Sequence, residues 1–185
     1  MANDKQKAEV LRKLDDKLAS RVKTIYRVIP TKQRDRFNNF LQKTGNPKVK
    51  MFWHGSRNEN WMSIIQNSLQ LNPNAVITGK MFGKGIYFAP SSTKSWNYTS
   101  INGSYWANGT SDTAFMGLYA CAYGKPYDVY NFDSKYYEFD AKALKAACED
   151  ANCLHAHKGN GMLMNDEIVF YDEAAILLNY IVEFK

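Results

Sequence analysis

The two hydrophobic periodicities of this chain are segregated. Helical spacings cluster in roughly the first seventy positions, with two strand-like runs among them, and strand spacing prevails over most of the rest. That order argues against the alternating βαβ units of a doubly wound parallel sheet and predicts an α+β fold. Leu11, Leu14, Leu18 and Val22, with charges between them, predict an amphipathic N-terminal helix whose role is packing. Ile25-Tyr26-Arg27-Val28-Ile29 reads as a strand stopped by Pro30, and Phe37, Phe40 and Leu41 mark one face of a second helix. Val49, Met51 and Trp53 alternate with Lys50, Phe52 and His54 as in a strand, and Trp61, Ile64, Ile65 and Leu69 define another helix. Downstream, Ile86–Phe88, Phe115–Tyr123, Glu167–Tyr171 and Leu177–Phe184 read as strands, and Asp140–Ala151 as a helix capped by Asp140. With no internal repeat or linker, residues 1–185 are expected to form a single domain.

Composition narrows the class without choosing a function. The 45% hydrophobic and 14% aromatic content suffices for a core, which argues against disorder. A net charge of +6 suits a polyanionic partner, but a solvated basic surface accounts for it equally well. The Met1-Ala2-Asn3-Asp4 start carries no signal-peptide core, and no apolar run reaches membrane-spanning length. Cys121, Cys148 and Cys153 are too few and too irregular for a disulfide framework. The expectation is an intracellular protein, nuclear or cytoplasmic, without membrane association.

Three tempting motifs fail on spacing. A phosphate-binding P-loop needs four residues between its first glycine and Gly-Lys, but Gly79 stands one residue too close to Gly83-Lys84, and Gly85 follows the lysine. The dinucleotide fingerprint fails at Phe88, where its third glycine belongs, and a strand rather than a helix follows. Cys148, Cys153, His155 and His157 form a C-x4-C-x-H-x-H cluster whose histidines are too close together for a zinc finger. It reads as buried thiols and loop histidines.

Three other segments carry polar groups at strand edges. His54-Gly55-Ser56-Arg57 follows the strand ending at Trp53. Met81 to Ala89 brings two glycines before a strand, where backbone can approach a ligand closely, and Pro90 then opens a helix expected to place Ser95 and Tyr98 on one face. Asn165-Asp166-Glu167 is a turn that presents Glu167 at the mouth of a strand. Taken singly, each is ordinary: a structural histidine, a core tyrosine, a solvated glutamate, and Ser95 and Tyr98 facing water.

Together they are not ordinary. W-H-G-S-R at 53–57, M-F-G-K-G-I-Y-F-A at 81–89, K-S-x-N-Y at 94–98 and E-I-V-F-Y-D at 167–172 resemble the catalytic domain of the poly(ADP-ribose) polymerases, tankyrases included, in a minimal form. The family's H-Y-E signature falls on His54, Tyr87 and Glu167. V-x-x-I-x-x-V from Val22 and R-x-R-F at Arg34 to Phe37 extend the likeness, which leaves residues 1–21 outside it.

The resemblance implies an ADP-ribosyltransferase fold, two antiparallel β-sheets around an NAD⁺ cleft with flanking helices. It implies NAD⁺ as substrate, no metal, release of nicotinamide, and transfer of ADP-ribose to protein acceptors, with automodification and polymer growth left open. Glu167, His54 and Tyr87 are then catalytic. Tyr87 and Tyr98 flank the nicotinamide, Gly55 and Ser95 bind its carboxamide, and His54 and Ser56 hold the adenosine ribose. Met81 and Lys84 fall beside the acceptor site. Asn165 replaces a tyrosine of strong polymerases, Gln70 replaces an arginine of some members, and the loop before Gly83 is one residue shorter, all of which bear on elongation. Nucleic acid as acceptor, NAD⁺ hydrolysis and an inactive NAD⁺- or ADP-ribose-binding module are the alternatives. The intact His54, Tyr87 and Glu167 set argues against the last.

Overall fold

The computed structural model describes residues 1–71, 81–159 and 163–185, so Gly79 and most of the loop before Gly83 lie outside the described residues. The chain runs α1 (Asp4–Leu11), α2 (Asp16–Ala19), β1 (Val22–Arg27), α3 (Thr31–Lys43), β2 (Val49–Gly55), α4 (Trp61–Asn67) and β3 (Ile86–Phe88). It continues with α5 (Ser92–Trp96), β4 (Ala114–Ala122), β5 (Lys125–Val129), α6 (Ala141–Ala147), β6 (Ala151–Ala156), β7 (Glu167–Phe170) and β8 (Ile176–Phe184). One sheet has the order β1-β8-β4-β2, the other β3-β7-β6-β5.

The fold is α+β with two sheets, as expected, but the second sheet is mixed. Its β5 and β6 run parallel, while the other pairs are antiparallel. A parallel neighbour needs a crossover, and α6 supplies it. Asp140 caps α6 by accepting from the Ala143 N–H at 2.8 Å. The helix ends at Ala147, short of the expected Ala151, because Ala151 already opens β6 and Cys148 has extended backbone.

The N-terminal pattern also resolves differently. Val10, Leu14 and Leu18 are buried, Leu11 is exposed, and Val22 begins a strand. What breaks the helix is tertiary. The Asp15 carboxylate accepts from the hydroxyls of Ser91, Ser92 and Thr93 and from the Thr93 N–H, at 2.7–3.1 Å. Lys13 offers its carbonyl to Trp53 Nε1 at 2.9 Å. These contacts tie the N-terminal segment to α5 and β2 and outweigh local helix propensity. Strand β1 likewise stops at Arg27, the last position paired with β8, and leaves Ile29 exposed.

The two sheets meet where Trp53 and Ala89 exchange backbone hydrogen bonds at 2.9 and 3.0 Å. Trp53 is 1% exposed although its strand lies at a sheet edge, so the joint between sheets is dry. Beside this joint the end of β2, the whole of β3, α5 and the first residue of β7 converge.

Candidate active site

A cavity of about 940 Å³ opens at that convergence, the size expected of a cleft for a cofactor-sized ligand. His54, Gly55, Ser56, Tyr87, Ser95 and Tyr98 all line it, and so does Glu167. Residues from three separated segments thus face one volume. Ser95 belongs to α5, whereas Tyr98 lies in the turn beyond it, its N–H donating to the Ser95 carbonyl at 3.1 Å. The expected shared helix face is therefore a helix followed by a turn.

Glycine sets the closeness of β2 and α5. A Cβ on Gly55 would stand 1.8 Å from the Ser95 carbonyl oxygen, so any side chain there would push α5 away. The glycines before β3 serve protein contacts. Gly83 has φ +71° and its missing Cβ would meet the Phe139 backbone, while that of Gly85 would meet the Val169 side chain. The close approach expected at these glycines is thus to neighbouring strands and loops, although Gly85 also borders the cavity.

The tautomer of His54 follows from its partner. Its Nδ1 lies 2.9 Å from the Tyr87 carbonyl, which can only accept, so Nδ1 carries the proton. Burial holds the imidazole below its ordinary value of 6.5, against the opposing pull of that carbonyl. Neutral His54 therefore keeps a free acceptor lone pair on Nε2.

Tyr87 is anchored at both ends. Its hydroxyl accepts from the Phe82 N–H and donates to the Gly83 carbonyl, each at 2.9 Å. Burial first, and the Glu167 charge second after the opposing Phe82 bond, keeps the phenol well above its usual range. Burial likewise raises Tyr98. Both rings are neutral, partly buried and ready to stack on a flat ligand.

Glu167 opens β7 and is 9% exposed. Its Oε1 accepts from Lys94 Nζ at 2.7 Å, and the same ammonium reaches the carbonyls of Asn165 and Asp166 at 3.3 and 3.5 Å. Burial pulls the Lys94 amine down and Glu167 opposes that shift. Lys94 stood in the quoted K-S-x-N-Y stretch, yet nothing in its spacing pointed to Glu167. Two further groups escaped sequence reading. Asn60 Nδ2 donates to Ser56 Oγ at 3.0 Å, and Trp106 lines the cavity, stacked on Tyr98 with centroids 6.5 Å apart.

Met81 and Lys84 stand away from the cavity lining. Met81 is partly buried against the cluster containing Phe82 and Tyr136, and the exposed Lys84 donates its N–H to the Phe139 carbonyl. Of the Cys/His run, the two cysteines stand on separate elements. Cys148 ends α6, Cys153 is fully buried, and His155 lies on β6 rather than in a loop. No described helix is long and apolar enough to cross a membrane.

Comparison with known proteins gives the family. The family model for the poly(ADP-ribose) polymerase catalytic domain matches residues 5–185, which includes the N-terminal segment that the quoted motifs left out. The chain is 28% identical over 165 residues to a poly [ADP-ribose] polymerase-like protein of Invertebrate iridescent virus 6, covering 85% of this chain and 83% of that protein. It is 57% identical over 49 residues to Homo sapiens Poly [ADP-ribose] polymerase 2, covering 26% of this chain and 8% of that one. Against Gallus gallus Poly [ADP-ribose] polymerase 1 it is 28% identical over 187 residues, covering 89% of this chain and 17% of the relative. The match thus spans most of the viral relative and only a small part of the two vertebrate ones. The chain belongs to the poly(ADP-ribose) polymerase catalytic domains, a family of NAD⁺ ADP-ribosyltransferases.

Proposed function

We propose that this chain cleaves the nicotinamide–ribose bond of NAD⁺ and transfers ADP-ribose to protein side chains, its own included. The observation that carries the reading is the convergence of His54, Tyr87 and Glu167, from three strands, on one cavity. Tyr87 and Tyr98 stack on the nicotinamide ring. The Gly55 backbone and the Ser95 hydroxyl hold its carboxamide, and the Gly55–Ser95 approach keeps those two groups together. His54 Nε2 accepts a ribose hydroxyl, and Ser56, supported by Asn60, takes another.

As nicotinamide departs, positive charge grows on the ribose, as in the oxocarbenium-like state of glycoside hydrolysis. A carboxylate fixed beside that carbon stabilises the transition state more than the ground state. Glu167 is that carboxylate. Lys94 holds it in one position through a partly desolvated ion pair. Glu167 also orients the incoming acceptor hydroxyl. The chemistry as argued calls on no metal.

Met81 and Lys84 are assigned to the side from which an acceptor enters. Asn165, in place of a tyrosine, leaves the backbone of this turn to Lys94 and offers no aromatic ring to a second ADP-ribose. Short products are therefore expected. The test is incubation with labelled NAD⁺ followed by sizing of label on protein and on added nucleic acid. Label on protein in single units or short chains supports the reading. Label confined to nucleic acid, or to free ADP-ribose, contradicts it.

A further inference from the structure

We infer that Asp128, His155 and His157 form a binding site for a divalent transition-metal ion of the zinc type, on the second sheet and outside the NAD⁺ cleft. Strands β5 and β6 run parallel with Asp128 opposite His155. His157 extends β6, its N–H donating to the Val129 carbonyl at 2.9 Å, so His155 and His157 point to one face two residues apart. One ligand atom from each of the three lies within 4.8 Å of the others. None of the three borders the cleft.

The donor set is matched to the ion. Two imidazoles and a carboxylate suit zinc and its neighbours, whereas calcium or magnesium would ask for more oxygens. His155, on β6, is partly buried. Its two nitrogens have separate partners. Without an ion, Nε2 donates to the Asp166 carboxylate and Nδ1 accepts from the Tyr123 hydroxyl at 2.8 Å; an ion at Nε2 displaces that proton. Asp166 Oδ2, 2.9 Å from Nε2, stands ready as a fourth donor and second oxygen.

The rings are already ordered. His155 and His157 stack with centroids 3.8 Å apart at 17°, and Tyr130 stacks on His157 at 4.4 Å and 8°. A tetrahedral ion about 2.0–2.1 Å from each nitrogen needs them roughly 3.4 Å apart, within the 4.8 Å that bounds the three ligand atoms, and the stacked rings must turn out of parallel to aim both lone pairs at it. His157 Nε2 and Asp128 Oδ1 are 2.7 Å apart, so a modest rotation of each side chain admits the ion between them. Cys153 lies two residues before His155 but takes no part. The thiol is fully buried, and its S–H donates to the Tyr123 carbonyl.

The test is titration of the chelator-stripped protein with Co²⁺, followed by visible absorption, and with Zn²⁺, followed by calorimetry. One equivalent of each should bind, with the intense visible bands of low-coordinate Co²⁺. Asp128→Asn and His157→Gln, both at solvent-reachable positions, should each weaken binding by about tenfold or more. Cys148→Ser should leave it unchanged, and circular dichroism should show all three variants folded. Absence of the Co²⁺ bands, or affinity unaltered in folded Asp128→Asn and His157→Gln, overturns the site. Loss of binding in Cys148→Ser overturns it in favour of a thiolate site.

Discussion

Lys94 Nζ stands 2.7 Å from Glu167 Oε1, and each side chain keeps little more than a tenth of its surface in solvent. Removing one member of such a pair leaves the other charge poorly solvated. Lys94→Met should lower stability by up to about 3 kcal/mol and turnover by about tenfold or more. NAD⁺ affinity should change less. Thermal denaturation with steady-state kinetics checks this, and unchanged turnover in the folded variant would remove Lys94 from the support of Glu167.

Gly55→Ala tests the join between β2 and α5. The added methyl would stand 1.8 Å from the Ser95 carbonyl oxygen, so α5 must retreat and carry the Ser95 hydroxyl with it. Affinity for nicotinamide and benzamide-type mimics should fall by about tenfold or more. Competition binding on the folded variant reads the result, and wild-type affinity would show that the Gly55–Ser95 contact does not shape the pocket.

Tyr98 offers a neutral ring to the same ligands. Tyr98→Ala should weaken nicotinamide mimics by about 1–3 kcal/mol, the scale of one lost stacking partner. The stack with Trp106 places a second aromatic next to it, so the loss should stay within that range rather than abolish binding. Unchanged inhibition constants would take Tyr98 out of the ring-binding surface.

The pH dependence of kcat/KM reports on His54. Burial lowers its pKa from 6.5, so the folded imidazole is neutral above that pH and takes up a proton only below it. Protonation places a hydrogen on Nε2, which then cannot accept from ribose. The profile should be flat from above 6.5 through neutrality and fall on the acid side of 6.5. An acid limb centred above 6.5 would show that His54 is not held neutral by burial.

Much of this structure was readable in sequence, for identifiable reasons. Strands β2, β3, β7 and β8 carry strong apolar patterns, and the polar residues at the cleft ends of β2 and β7 stand out against them. Strand β5 did not declare itself, since Lys125-Pro126-Tyr127-Asp128 holds a proline and two charges. Its parallel pairing with β6 is a non-local contact. The break in the N-terminal helix depends on Ser91, Ser92 and Thr93, more than seventy residues from Asp15. Local pattern cannot see such a partner. The Lys94–Glu167 pair was hidden for the same reason.

Glu167→Gln is the most direct test of the account. The substitution keeps size and most hydrogen bonding but removes the charge that opposes the oxocarbenium-like state. Turnover should fall on the order of a hundredfold or more, as when a transition-state stabiliser is lost. NAD⁺ affinity, measured by titration of the same folded variant, should change far less, because ground-state ribose carries no such charge. Wild-type turnover in Glu167→Gln would contradict the mechanism outright.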